Sequence, residues 1–406
     1  MKSIMLIIIG YLLKIFLFIL RPFVRIRIGL VPYSSLGRIS GNMEYYLRGQ
    51  RAKNHSRKER HILVSGRNPV NKQIMEMIKR RVPVLESNFL WKCLHNVQGT
   101  LHDPTGRQAD PEDQDSTWIN LRHSGFLLEW DTWQNIGPQL TFNDKEHREG
   151  KELLRTLGIP EGSQYVCIHA RDKAYTDSPD YTRSLDDPLA FSDFRDCDID
   201  TYLPAARWLA EKGLWVVRVG HQVVGPIRKE HPRIIDYASD YRRHLHNPDF
   251  ADVYLQAHCK FLLGCTAGIY YLSHIFDVPI AFVHMAPLAE SGRCNKDLWI
   301  LKKYWNTKEN RYMTFYEMVE RGADWNRLWY NEQKSIVDEG IEIVENTPEE
   351  ILALAQEMYA RLDGTWSSKP DDKNLQQRFR KIFPEGHPMV NFPGYVGSDF
   401  LRNNVK

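Results

Sequence analysis

Five side chains able to carry charge or hydrogen bonds crowd into seven positions: His169, Arg171, Asp172, Lys173 and Tyr175. They follow directly on Tyr165-Val166-Cys167-Ile168, a run that reads as a buried strand. A guanidinium makes bidentate contacts to phosphate oxygens, and a neighbouring carboxylate can take up a proton. In open α/β sheets, ligands bind beyond the carboxyl ends of the strands. The stretch therefore suits an anionic ligand, although its charges also fit the solvated start of a loop.

Two further strand ends favour the ligand. The run "VVRVGHQ" would bring Arg218, Gly220 and His221 to the same edge of a parallel sheet. In "LLGCTAGIYYLSHIFDVP", Gly264, Thr266, Ala267 and Gly268 form a small-residue turn between a strand and a helix, open enough for a phosphate to approach. Earlier in the chain, "PYSSLGRISGNMEYYL" reads as a strand end, a Ser/Gly loop and a helix. Arg38 there can contact an anion, and Glu44 is either a functional acid or a first-turn acid complementing the helix dipole. None of these loops has the glycine spacing of a dinucleotide or P-loop site. Asp196-Cys197-Asp198 invites a metal reading, but it precedes a helix, and Asp198 or Asp200 fits better as an N-cap. No metal site is expected.

Strands alternate with helices of roughly 10 to 15 residues, the pattern of βαβ units and parallel sheets. There are two such series. The expected divisions are a hydrophobic helix (1–22), an amino-terminal Rossmann-like domain (23–150), a carboxyl-terminal Rossmann-like domain (151–335) and a helical extension (336–406) packing back on them. Gly158 and Gly213 read as helix stops, and Thr347-x-x-Glu350 as a capping box. Residues 95–117 read as an irregular loop.

The apolar run 4–20 carries one charge, Lys14, and is marginal in length for a span. With no cleavage site after it, it reads as a helix lying on or embedded in the inner membrane face, with a true span, docking on the protein or self-association as the other possibilities. Arg21, Arg25, Arg27 and the basic stretch 48–61 suit anionic lipid. A net charge of +3 gives no ground for a nucleic-acid partner. The six cysteines show no metal-ligand spacing, which favours a reducing compartment.

The segments "RIGLVPYSSLGRISGNMEYYL", "CIHARDKAY", "DCDIDTYLPAARWLAEKGLWVVRVG", "LGCTAGIYYLSHIFDVP" and "GSDFL" resemble a bacterial glycosyltransferase family found among polysaccharide and lipopolysaccharide genes. His169-x-Arg171 is similar, more distantly, to the His-x-Arg stretch of fucosyltransferases with two Rossmann domains. Asp172 stands where those enzymes commonly have a second arginine. The resemblance implies an α/β fold of two Rossmann-like domains facing a cleft (the GT-B architecture). It also implies a nucleotide-sugar donor in the second domain, a glycan or lipid-linked acceptor against the first, and no cofactor or metal. Arg171 would hold the donor diphosphate, aided by Arg218 and the 266–268 turn, with Asp172 or Glu44 as base. His169 and Tyr175 complete the expected binding set. The expected place of action is the cytoplasmic face of the inner membrane, with oligomeric state left open. Two other readings remain: a membrane-tethered sugar-nucleotide-binding protein, and a phosphate-ester or diphosphate hydrolase.

Overall fold

The computed structural model describes residues 2–52, 59–98, 118–119, 121, 130–174, 177, 193–228, 230–288, 294–321 and 338–405. Tyr175, most of the stretch 95–117 and the middle of the stretch 48–61 lie outside them. The chain forms two compact units, Met1–Asp144 and Lys145–Lys406.

The first unit runs α1 (Lys2–Leu20), β1 (Arg25–Leu30), α2 (Met43–Ala52), β2 (Glu59–Ser65), α3 (Lys72–Lys79), β3 (Val84–Glu86), α4 (Asn88–Gln98), β4 (Trp118–Ile119) and α5 (Trp130–Asn135). Its four strands are parallel in the order β3-β2-β1-β4, so the order reverses at β1. Alternation along β1 explains its packing. Ile26, Ile28 and Leu30 share one face and meet Val64, Leu94 and two α1 residues, Leu13 and Leu17. On the other face, a Cβ added at Gly29 would come within 2.7 Å of Leu63 and Leu121, so the close approach there needs glycine. Asn71 caps α3 by accepting from the Ile74 amide at 2.9 Å. No described helix is long and apolar enough to cross a membrane.

The second unit opens with α6 (Asp144–Thr156), β5 (Tyr165–His169), α7 (Leu203–Glu211), β6 (Trp215–Arg218), β7 (Ile234–Asp236), α8 (Pro248–His258), β8 (Leu262–Gly264), α9 (Tyr271–His274) and β9 (Ile280–Met285). It continues with β10 (Leu298–Leu301), β11 (Lys303–Asn306), β12 (Arg311–Tyr312), α10 (Phe315–Glu320), β13 (Ile341–Val344), α11 (Pro348–Leu362), α12 (Asp372–Arg380), β14 (Tyr395–Val396) and α13 (Ser398–Asn404). Seven strands form a sheet ordered β14-β10-β9-β8-β5-β6-β7, and every pairing in it is parallel. Strands β5, β8, β9 and β10 are buried throughout. That matches their unbroken apolar runs, since helices cover both faces of such sheets.

Gly158 (φ +78°) and Gly213 (φ +94°) end α6 and α7 in the left-handed conformation that suits glycine. Thr347 and Glu350 form the reciprocal capping box at α11. The expected long helix after Gly268 is instead a single tight turn, Gly268–Tyr270, followed by the four-residue α9. The tail enters the sheet itself, because β14 pairs with β10. A separate antiparallel sheet, β12-β11-β13, has no counterpart in the sequence reading.

Candidate functional site

In the second sheet the strand order reverses between β5 and β8. Doubly wound sheets hold ligands just beyond the carboxyl ends of the two strands that flank such a point. His169 and Gly264 are paired neighbours there. The Arg171 amide donates to the Cys265 Sγ at 3.1 Å, so the two strand ends are stitched by the residues that follow them.

Each nominated side chain has a definite place. His169 is buried, and its Nδ1 lies 3.0 Å from the Val219 carbonyl. A carbonyl can only accept, so Nδ1 carries the proton and Nε2 keeps its lone pair. Burial lowers its pKa to about 4, the Val219 bond opposing only in part. At neutral pH His169 therefore supplies no positive charge; it braces the ends of β5 and β6.

Arg171 is the cation of this edge. Its NH1 pairs closely with the Asp196 carboxylate, and both groups are partly exposed. The Asp196 carbonyl in turn accepts from Lys302 Nζ at 2.6 Å. Asp172 accepts from the Ala174 amide at 2.9 Å and, through its other oxygen, from the Val224 amide at 3.0 Å. It thereby fixes the 171–174 turn against the loop that follows β6.

Arg218 is a correction to the expected open cation. It is 2% exposed, and its NH1 donates to the Gly225 carbonyl at 2.6 Å and to Asp236 at 3.2 Å. Asp236 also accepts from Ile227, so the pair closes the loop after β6. Gly220 is buried in that loop, where a Cβ would meet Val223 at 3.0 Å, and His221 is exposed.

Gly264 and Thr266 sit at the β8 end as expected. The Thr266 hydroxyl is buried and lies 3.2 Å from the Met285 sulfur. Ala267 is buried and Gly268 exposed, but α9 is too short to aim a helix dipole at a ligand.

In the first unit Arg38 is exposed at the start of the turn Arg38–Asn42 that follows β1. Glu44 is a second correction. It is fully buried; Arg48 Nε and the Gln139 amide donate to one oxygen, and the Leu140 amide to the other. Arg48 also stacks 4.1 Å over the Trp133 ring and donates to the Trp133 carbonyl. Glu44 thus anchors residues 139–140 on α2 and is closed to a substrate.

Sequence reasoning weighed Asp196 only as a metal ligand and gave no site role to Lys302, Cys265 or His284. Asp196 had a signal as the first acid of Asp196-Cys197-Asp198, whose second acid does cap the turn Ile199–Tyr202. His284, the last residue but one of β9, has φ +53°, a conformation uncommon for a residue other than glycine. Its Nδ1 accepts from the Asn346 amide at 3.0 Å, so Nε2 holds the proton and faces Thr201 Oγ1 at 3.3 Å. Burial, aided by the Lys302 charge, lowers its pKa to about 3. All six cysteines are free thiols, and no metal-ligand cluster gathers among the described residues.

Neither a protein-family model nor a curated protein matches the chain. Among solved structures it is similar to a glycosyl transferase family 9 protein from Veillonella parvula, at 9% identity and a TM-score of 0.44, covering 82% of this chain and 97% of that one. It is also similar to the E. coli ADP-heptose LPS heptosyltransferase II, at 12% identity and a TM-score of 0.39, covering 76% and 99%. For the E. coli heptosyltransferase WaaC with ADP, the identity is 11% and the TM-score 0.32, covering 75% and 99%. Likenesses this distant define neither the activity nor the ligands of this chain.

Proposed function

We propose that the chain is a glycosyltransferase of the two-Rossmann-domain (GT-B) kind. It moves a sugar from a nucleotide-diphosphate donor to a lipid-linked or surface polysaccharide acceptor, without a metal, at the cytoplasmic face of the inner membrane. The second unit takes the donor and the first the acceptor, with Arg38 a contact for the latter. The observation that carries this reading is Arg171, a partly exposed cation directly beyond the point where the second sheet reverses its strand order.

Breaking the bond between the sugar carbon and the phosphate oxygen leaves charge on the departing nucleoside diphosphate. Arg171 stabilises that charge, with the turn from Gly264 to Gly268 packing beside it. The acceptor hydroxyl must lose its proton as its oxygen bonds to the sugar. With Glu44 sealed in the first unit, Asp172 is the base, held in position by the Ala174 and Val224 amides.

A thermal-shift screen against GDP, UDP, ADP, TDP and CMP tests the reading. One of the nucleoside diphosphates should stabilise the protein by about 2.7 kcal/mol at 100 times its dissociation constant. Asp172→Asn should keep that stabilisation and lower sugar transfer by about a hundredfold or more. If no nucleotide stabilises the chain, the proposal fails. It also fails if the donor is bound but never turned over, or is consumed without an acceptor in a chelator-sensitive way.

A further inference from the structure

Helix α1 reverses the usual polarity of a surface helix. Leu13 and Leu17 turn inward onto Ile28, Leu30, Val64 and Leu94. The face pointing away from the unit is apolar as well: Ile4, Ile8, Leu12, Ile15, Ile19 and, just beyond the helix, Phe23 are each more than half exposed. At about 100° per residue, the exposed apolar positions cover close to half the helix circumference. Lys14, the one charged residue between Ile4 and Leu20, is half-buried and does not break that arc. Soluble proteins rarely leave one apolar patch larger than about a few hundred Å² without a partner.

The charges around the end of α1 say which partner. Arg21 follows the helix and lies 5.1 Å over the Phe18 ring. Arg60 is exposed and sits opposite Ile26 on the neighbouring strand, on the face of the sheet that meets α1, whereas Arg25 and Arg27 alternate onto the other face. Glu59 is the acid among them, and Arg27 and His61 both bond to it. An apolar strip bordered by Arg21 and Arg60 fits the acyl region and anionic headgroups of one leaflet. A second copy seated on the same apolar strip would leave Arg21 and Arg60 without an anionic partner.

We propose that α1 lies flat in one leaflet of an anionic membrane, docked to its own unit through Leu13 and Leu17 and inserting its opposite face. At 19 residues it is about 28 Å long, and its inner face is already engaged by protein. It is therefore an in-plane anchor and not a span. This inference stands on the first unit alone and does not depend on glycosyl transfer.

Co-sedimentation of the full chain with phosphatidylglycerol-containing and pure phosphatidylcholine vesicles tests it. The full chain should bind the anionic vesicles more tightly, and an amino-terminal tag should stay open to added protease. Ile8→Glu with Ile15→Glu should weaken binding at least about tenfold. Both side chains face away from the unit, so the melting temperature should not change. Phe23→Glu, outside the helix, should weaken binding without touching the fold, and Arg60→Glu should do so on anionic vesicles only. The proposal is overturned if the full chain stays in the supernatant or if the double variant sediments like the parent. A tag protected inside the vesicles would mean a span. A lipid-free dimer broken by the double variant, with no vesicle capture, would mean that a second copy covers the strip.

Discussion

Arg171 meets Asp196 before it can meet a phosphate. A donor diphosphate must displace or repel a carboxylate already on that guanidinium, so the two anions compete for one cation. The pair is partly exposed, and such pairs are worth about 1 kcal/mol or less. Asp196→Asn should therefore tighten nucleoside diphosphate binding by about threefold to fivefold. Arg171→Ala, which removes charge-assisted hydrogen bonds, should weaken it by about tenfold to a hundredfold. Calorimetric titration of both variants decides the matter. Weaker binding by Asp196→Asn would mean that Asp196 itself contacts the ligand or that Arg171 is not its cation. Glu44 and Arg48 show the contrast: an equally opposite pair, fully buried, with each acid oxygen taken up by backbone or guanidinium donors. In the sequence Arg171 was recognisable by its place after a strand. Its counter-ion, 25 residues away, was not, and neither was the bond between Glu44 and residues 139–140. Which charge closes on which is settled by long-range packing, and local pattern does not carry it.

Local chemistry did mark the elements whose limits it controls. The alternation of β1 and the apolar runs of β5 and β9 are patterns visible in the local sequence, and the stops at Gly158 and Gly213 and the Thr347 capping box rest on contacts within a few residues. The short α9 was misread because its composition suits a longer helix. The chain turns at Asp277 (φ +56°), where the Val278 amide bonds back to the Ser273 carbonyl, before it re-enters the sheet at β9. Strands β11 and β13 pair across more than 30 residues of intervening chain, which no local window reveals. The "GSDFL" segment of the tail is a packing device. A Cβ on Gly397 would come within 2.8 Å of Leu354 and 3.0 Å of Ile300. Glu357 on α11 accepts from the Ser398 amide and hydroxyl, and from two Arg361 nitrogens. Only 4% exposed, it clasps α13 to α11. Glu357→Ala leaves those donors unmatched and should cost about 3 kcal/mol in chemical denaturation. A loss below about 1 kcal/mol would show that apolar packing alone holds the tail.

Across the whole molecule, buried ionisable groups make stability depend on pH in two opposed directions. His169 and His284 are lowered by burial to about 4 and about 3. In the unfolded chain each returns to about 6.5, so there the unfolded state binds more protons. The stability that follows from keeping these rings neutral is present above about pH 6.5 and is lost as pH falls toward the folded values. Glu44, Asp252 and Glu357 are raised, with burial the largest cause in each. Their contribution is full below the ordinary carboxylate range and fades as pH rises through the folded values, so the total curve mixes both senses. Differences between variants separate them. His169→Gln and His284→Gln should each destabilise the protein at pH 8, where only hydrogen bonds and packing are lost. From pH 8 to pH 5 each gap should narrow by about 2 kcal/mol, because the parent alone then bears the cost of a buried histidine that resists protonation. Denaturant titrations across that range measure it. A gap that stays constant would mean that the imidazole ionises freely in the folded state, and the neutral tautomer assigned to that histidine would be wrong.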